Sequence, residues 1–177
     1  MTYAVAEPSQ RYRLAATSRS KLVVLDQLLA RHREDRVLVI GQYLDQLKTI
    51  AERLGAPLVT GQTSNNVRDE RFGAFRRGEL PVLVVSKVAN FSIDLPEANV
   101  AVQLSGTFGS RQEEAQRLGR LLRPKADGGQ AHFYSVVTRE TVDQSFAANR
   151  QRFLTEQGYT YEILDERDML PAKREVG

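Results

Sequence analysis

A chain of 177 residues is long enough for one domain with a substantial core. With no cysteine and only His32 and His132, it excludes disulfides and thiolate metal sites and makes a histidine metal centre a poor expectation. Its 25 basic against 22 acidic residues leave a net charge of +3, which permits a nucleic-acid partner without demanding one.

The opening "MTYAVAEPSQRYRL" lacks a basic start followed by an apolar stretch, and no apolar run approaches a membrane span. A cytoplasmic setting without a membrane partner is the expectation. Residues 1–18 read as an N-terminal tail, 19–164 as one domain and 165–177 as a C-terminal tail.

Segment 19–31 reads as a helix, and "RVLVIG" (36–41) as a strand. In 43–54, Tyr43, Leu44, Leu47, Ile50, Ala51 and Leu54 share one helical face, and Gly55 follows as a stop signal. "PLVTG" (57–61) is the next strand. Segment 67–77 sets Phe72 and Phe75 one turn apart, after an Asn66 cap and before Gly78. "PVLVVS" (81–86), "NVAVQLS" (99–105) and "AHFYSVV" (131–137) add strands, 140–157 a helix and "YTYEIL" (159–164) an edge strand. Near-continuous apolar strands alternating with helices predict an open, mainly parallel α/β sheet with helices on both faces. Val39, Phe75, Val84, Leu118 and Leu122 belong to its expected core.

The sequence "RQEEAQRLGRLLRPK" (111–125) sets five basic residues against two acidic ones. Ser110 and Glu113 form a capping box, so a helix is expected from about Arg111. At ~100° per residue, Gln112, Gln116, Arg120 and Arg123 fall in a stripe about 60–80° wide, with Ala115, Leu118 and Leu122 roughly opposite. Gly119 lies beside the stripe, where it costs about 1 kcal/mol relative to alanine. A solvated basic face gains nothing from that cost; a surface approached closely by a ligand does. Arginine's planar fork matches phosphate oxygens, so a polyphosphate ligand accounts for the whole stripe.

At these residues the chain resembles the second RecA-like lobe of a superfamily 2 helicase. "QRLGRLLR" (116–123) resembles motif VI. The resemblance implies that Arg120 and Arg123 are arginine fingers on the γ-phosphate of a nucleotide held by another lobe, with Gln116 and Gly119 beside it. "VLVIGQYLDQL" (37–47) resembles motif IV. "TGQTSNNVRDERFGAF" (60–75) resembles the neighbouring segment that touches the nucleic-acid backbone, which implies contacts from Gly61, Thr63 and Arg68. "SKVANFSIDLPEANVAVQLS" (86–105) resembles motif V, implying that Ser86 and Lys87 face nucleic-acid phosphate and that Asp94 lies near the nucleotide.

The likeness is closer to the XPB branch of DNA repair and transcription helicases, through "SIDLPEANV", "GSRQEEAQRLGRLLRPK", "FYSVV" and "RQRFLTEQGY" (150–159). It spans about residue 20 to 164, and motif V departs from the branch at Ala89 and Asn90, where Gly-Asp is usual. It implies a RecA-like fold and a 3′-to-5′ ATP-dependent DNA motor acting on phosphates without sequence readout. A repair nuclease or a transcription and repair complex would be its partner.

No G-x-x-x-x-G-K-[ST] occurs anywhere. "YEILDERD" (161–168) imitates a metal-holding carboxylate box, but it follows motif VI and has no phosphate loop before it. ATP and Mg²⁺ are therefore expected to be bound mainly by an N-terminal lobe of the same parent chain, and the chain alone is expected to be inactive. Two alternatives remain open: a non-catalytic nucleic-acid or protein docking module with a helicase-like fold, and the motor lobe of another superfamily 2 translocase. A Rossmann-type cofactor binder lacks its G-x-G-x-x-G.

Overall fold

The computed structural model describes residues 3–86, 98–105, 128, 130–156, 160 and 162–169. Within them run α1 (Pro8–Ala16), α2 (Arg19–Arg31), β1 (Val37–Gly41), α3 (Leu44–Leu54), β2 (Leu58–Val59), α4 (Asn65–Arg76), β3 (Val82–Ser86), β4 (Val100–Gln103), β5 (His132–Ser135) and α5 (Val142–Glu156). Among the described residues the five strands form one sheet in the order β2-β3-β1-β4-β5. Every neighbouring pair is parallel, with Val39 beside Val84 and Val102. The expected α/β architecture is present.

Alternation along each strand divides the core in two. Leu38, Ile40, Leu83, Val85 and Ala101 turn to the face covered by Phe72 and Phe75 of α4. Val37, Val39, Val84, Val100 and Val102 turn to the other, covered by Leu25 and Leu28 of α2 and by Leu47 and Ile50 of α3. Helices thus lie on both faces, which is why β1 is apolar at successive positions and buried along its whole length. Val39, Phe75 and Val84 are fully buried, as expected; Leu118 and Leu122 lie outside the described residues.

Helix α3 ends where the glycine signal places it. Gly55 takes φ +59, and the N–H groups of Gly55 and Ala56 return to the carbonyls of Glu52 and Ala51 at 3.2 and 2.9 Å. Only glycine adopts this left-handed closure without strain. Leu44, assigned to the inward face, is instead 40% exposed in the first turn. Helix α4 begins at Asn65 with Ser64 at the cap position, so Asn66 lies inside the helix rather than before it.

The N-terminal segment departs from the expected tail. Pro8 starts α1, and Ala15 and Ala16 are buried. Thr138 Oγ1 donates to the Ala15 carbonyl at 2.8 Å and Gln46 Nε2 to the Ala16 carbonyl at 3.0 Å. Two small residues let the helix end approach the body closely, and so short a contact leaves little periodic signal. At the other end, residues 160 and 162–165 carry no strand, and Ile163 is 75% exposed. Ile163 and Leu164 both stay exposed, so their β-forming side chains bury nothing there. Asp165 pairs with Arg139 and Arg167, whose hydrogen bonds hold its carboxyl well below the usual carboxylate range, and Glu166–Met169 form a 3-10 turn.

Gly41 marks a close approach. A Cβ built on it would lie 2.7 Å from Leu47 Cδ2 and 3.3 Å from Ser105 Oγ. Leu47 is itself fully buried, which leaves its side chain little room to shift. Gly41→Ala should therefore cost about 1–3 kcal/mol through overpacking, measured as a shifted midpoint in urea melts. A loss below about 0.5 kcal/mol would mean that Leu47 has room to move.

Candidate nucleic-acid interface

Because the strands are parallel, their C-terminal ends share one edge, where the loops of open α/β sheets bind ligands. The loop after β2 lies there. Its backbone turns on its own hydroxyls: Thr60 N–H donates to Thr63 Oγ1 at 2.9 Å, Thr63 N–H to the Thr60 carbonyl at 3.1 Å and Gln62 N–H to Thr60 Oγ1 at 3.2 Å. Gly61 stands exposed at the tip. Threonine at both ends explains why the turn closes without help from elsewhere.

Helix α4 continues from this loop and points its N-terminus at the same edge. No acidic residue occupies its first turn, and the Ser64 side chain makes no capping bond. The partial positive charge of the helix start is therefore not neutralised by its own sequence. Arg68 folds back over the loop, donating through Nη2 to the Thr63 carbonyl at 3.0 Å and to Asn65 Oδ1 at 3.1 Å. Its Nε is buried without a hydrogen-bond partner. Arg71 Nη1 reaches the Leu58 carbonyl at 2.6 Å and fastens the helix to β2.

Three of the four expected nucleic-acid residues that are described here thus come together: Gly61, Thr63 and Arg68. The fourth, Ser86, ends β3 one strand further in and is 1% exposed. Since Val59 pairs with Val85, Ser86 follows next to Thr60 along the edge, below the surface rather than on it. Lys87, Asp94, Gln116, Gly119, Arg120 and Arg123 lie outside the described residues.

A second group on this edge was not anticipated. Gln42 N–H donates to Ser105 Oγ at 2.8 Å, joining the ends of β1 and β4. Lys21 Nζ donates to the Leu104 carbonyl and to Asp143 Oδ2, both at 2.6 Å. The sequence held a signal for it, since Lys21, Leu25 and Leu28 recur at i, i+4 and i+7 and share the buried stripe of α2. Tyr43, next to this group, has its phenol pushed up by burial, with the Arg13 guanidinium opposing and Asp143 adding to the shift.

The two histidines, far apart in sequence, meet with ring centroids 5.3 Å apart. His32 is held by Asp35 Oδ2 at 2.9 Å on Nδ1 and by the Tyr134 hydroxyl at 2.7 Å on Nε2, and it is buried. It serves as a structural tie between the end of α2 and β5.

A family model described as "ERCC3/RAD25/XPB C-terminal helicase" matches residues 1–176. The chain belongs to this family. Among XPB relatives, the "DNA 3'-5' helicase XPB" of Mycobacterium tuberculosis is 62% identical over 170 residues, covering 96% of this chain and 31% of the relative. The "General transcription and DNA repair factor IIH helicase/translocase subunit XPB" of Drosophila melanogaster is 38% identical over 169 residues, covering 92% of this chain and 21% of the relative. The chain thus spans less than a third of the length of these XPB proteins. The C-terminal part of the Fun30 ATPase domain superposes with a TM-score of 0.58 at 19% identity, over 87% of this chain and 52% of that one. The Pyrococcus furiosus Hef helicase domain gives 0.52 at 23% identity, over 76% of this chain and 28% of that one. These two likenesses establish the helicase-domain fold.

Proposed function

We propose that this chain is the C-terminal motor lobe of an XPB-type, ATP-dependent 3′-to-5′ DNA helicase or translocase. The family match over residues 1–176 carries the reading. The names of the Mycobacterium and Drosophila relatives supply the activity and the repair or transcription setting for the parent protein. ATP and Mg²⁺ would supply the phosphoryl chemistry, held mainly by a preceding lobe, because no phosphate-cradling loop exists in this sequence. Gln116, Gly119 and Asp94 would face that nucleotide from this side, and Arg120 and Arg123 would neutralise charge developing on the transferred group.

DNA would run along the C-terminal edge of the sheet. The exposed Gly61 backbone, Thr63 and the start of α4 offer neutral donors to a phosphate, and Arg68 adds the charge. Lys87 would extend this contact, with Ser86 beneath it. Nothing in such an arrangement reads bases, so binding would be sequence-independent.

The test joins two measurements. The isolated chain, given Mg-ATP and single-stranded DNA, should release phosphate at the rate of buffer alone. In the full-length parent, Arg68→Ala and Lys87→Ala should each weaken DNA binding and reduce the slope of log K against log salt by about 0.7–0.9, one phosphate contact apiece. An unchanged salt slope in both variants would remove DNA from this edge, and phosphate release that follows the isolated chain through purification would contradict the half-motor reading.

A further inference from the structure

Two distant segments meet beyond the end of β1. Gln42 and Tyr43 follow the strand directly, and α1 brings Tyr12 and Arg13 across to them. The rings of Tyr12 and Tyr43 lie 6.2 Å apart at 46°. The Arg13 guanidinium sits over the Tyr43 ring, its carbon 5.7 Å from the ring centre, within the range of a cation–π contact. Arg13 Nη2 also donates to Asp45 Oδ2 at 3.1 Å. The bonds from Gln46 and Thr138 to the carbonyls that end α1 hold this helix in place, so the cluster is assembled before any ligand arrives.

Its chemistry differs from that of the loop after β2. The charge of Arg13 is already answered by Asp45, whose carboxylate would repel a phosphate brought to the same place. With side chains 60% and 82% exposed, this ion pair also adds little to stability. What the pair does is hold a guanidinium against a ring. A guanidinium is planar, delocalised and weakly hydrated, and it stacks on flat π-systems. An unpaired nucleobase is such a system, and bases stack on arginine planes and on aromatic rings alike.

The location suits the same ligand. The end of β1 lies two strands from β2, about 10 Å along the edge that carries Gly61, Thr63 and Arg68. At ~3.4 Å per step of one DNA strand, that is about three nucleotides. We propose that Arg13, braced by Tyr43, is a stacking platform for an unpaired base of the strand whose phosphates meet the loop after β2. Tyr12 and Asp45 hold the platform from either side. Every base has a π-face, so the platform adds affinity without reading sequence. This rests on the reading that DNA runs along this edge.

The experiment uses the full-length parent chain with Arg13→Ala, Arg13→Lys, Tyr43→Ala and Tyr43→Phe, and with Arg68→Ala as the phosphate-contact reference. Affinity is measured over a salt series for oligothymidylate and for the same strand carrying abasic sites. Arg13→Ala and Tyr43→Ala should each weaken binding of the intact strand about 5- to 150-fold, the range of one base stack. Neither should change the salt slope, because stacking releases no counterion, and neither should weaken binding of the abasic strand. Arg13→Lys should recover little, since it restores the charge without the plane, whereas Tyr43→Phe should bind normally. If Tyr43→Ala does not fold, the two substitutions of the exposed Arg13 are read by the same criteria. Full recovery by Arg13→Lys, a shallower salt slope or an equal loss on the abasic strand would make Arg13 a phosphate contact and overturn the platform. Unaltered affinity in Arg13→Ala overturns it as well. A loss in Arg68→Ala beside unaltered Arg13 variants refutes the platform alone, and no loss in either set removes DNA from this edge.

Discussion

Arg123→Ala in the full-length parent chain should lower DNA-stimulated ATP hydrolysis by about 10³–10⁵-fold, the range over which arginine fingers act. DNA affinity should stay nearly unchanged. The motivation is the stripe of Gln116, Arg120 and Arg123 that a helical reading of 111–125 implies, which suits a phosphate ligand held by another lobe better than a solvated surface. Arg123→Lys should recover little, because an ammonium is a point charge and cannot reproduce the planar, bidentate fork. The measurement pairs steady-state ATPase at saturating DNA with an independent binding isotherm, and sets both beside Arg68→Ala. Loss of DNA binding with normal hydrolysis would assign the stripe to nucleic-acid phosphate instead.

Removing one partner of the buried ion pair should have the largest effect on stability. Lys21→Ala strands the Asp143 carboxylate, at 10% side-chain exposure, without its ammonium and leaves the Leu104 carbonyl short of a donor. An uncompensated buried charge costs about 3–5 kcal/mol. Denaturant melts of the 177-residue chain should show that loss. Lys21→Met with Asp143→Leu should recover only part of it, since no charge then remains buried but the Leu104 carbonyl still lacks its donor and the Thr138 N–H its acceptor. A loss under about 1 kcal/mol for Lys21→Ala would mean that water enters and solvates Asp143.

Much of the architecture was legible in particular residues. "RVLVIG" and "PVLVVS" announce strands covered on both faces, and β1 and β3 are the sheet's central neighbours of that kind. Gly55 marks the end of α3, and Phe72 with Phe75 marks the inward side of α4. Of the candidate interface, Gly61, Thr63 and Arg68 lie within eight residues of one another, so a short loop and a helix start suffice to gather them. Where the expectation failed, local pattern was the wrong instrument. Ser86 lies on a strand end that reads as surface, yet the neighbouring strands bury it. The short α1 offered little periodicity, yet Ala15 and Ala16 seat it against the body.

By itself the sequence determined the five strands and the helices α2 to α5, their alternation and the loop after β2, because each is written in residues within a turn or two of each other. The tertiary structure alone decided which distant groups meet. Lys21 and Asp143 are 122 positions apart, and His32 and Tyr134 are 102 apart. Periodicity reports how deeply a position is buried, not which partner awaits it there. That partner follows from the strand order β2-β3-β1-β4-β5, which puts β4 and β5 beside β1 and so carries the start of α5 to the inward face of α2. A lysine on an apolar stripe is a misfit until that order is known; afterwards it is a charge with a counter-charge and a carbonyl to hold.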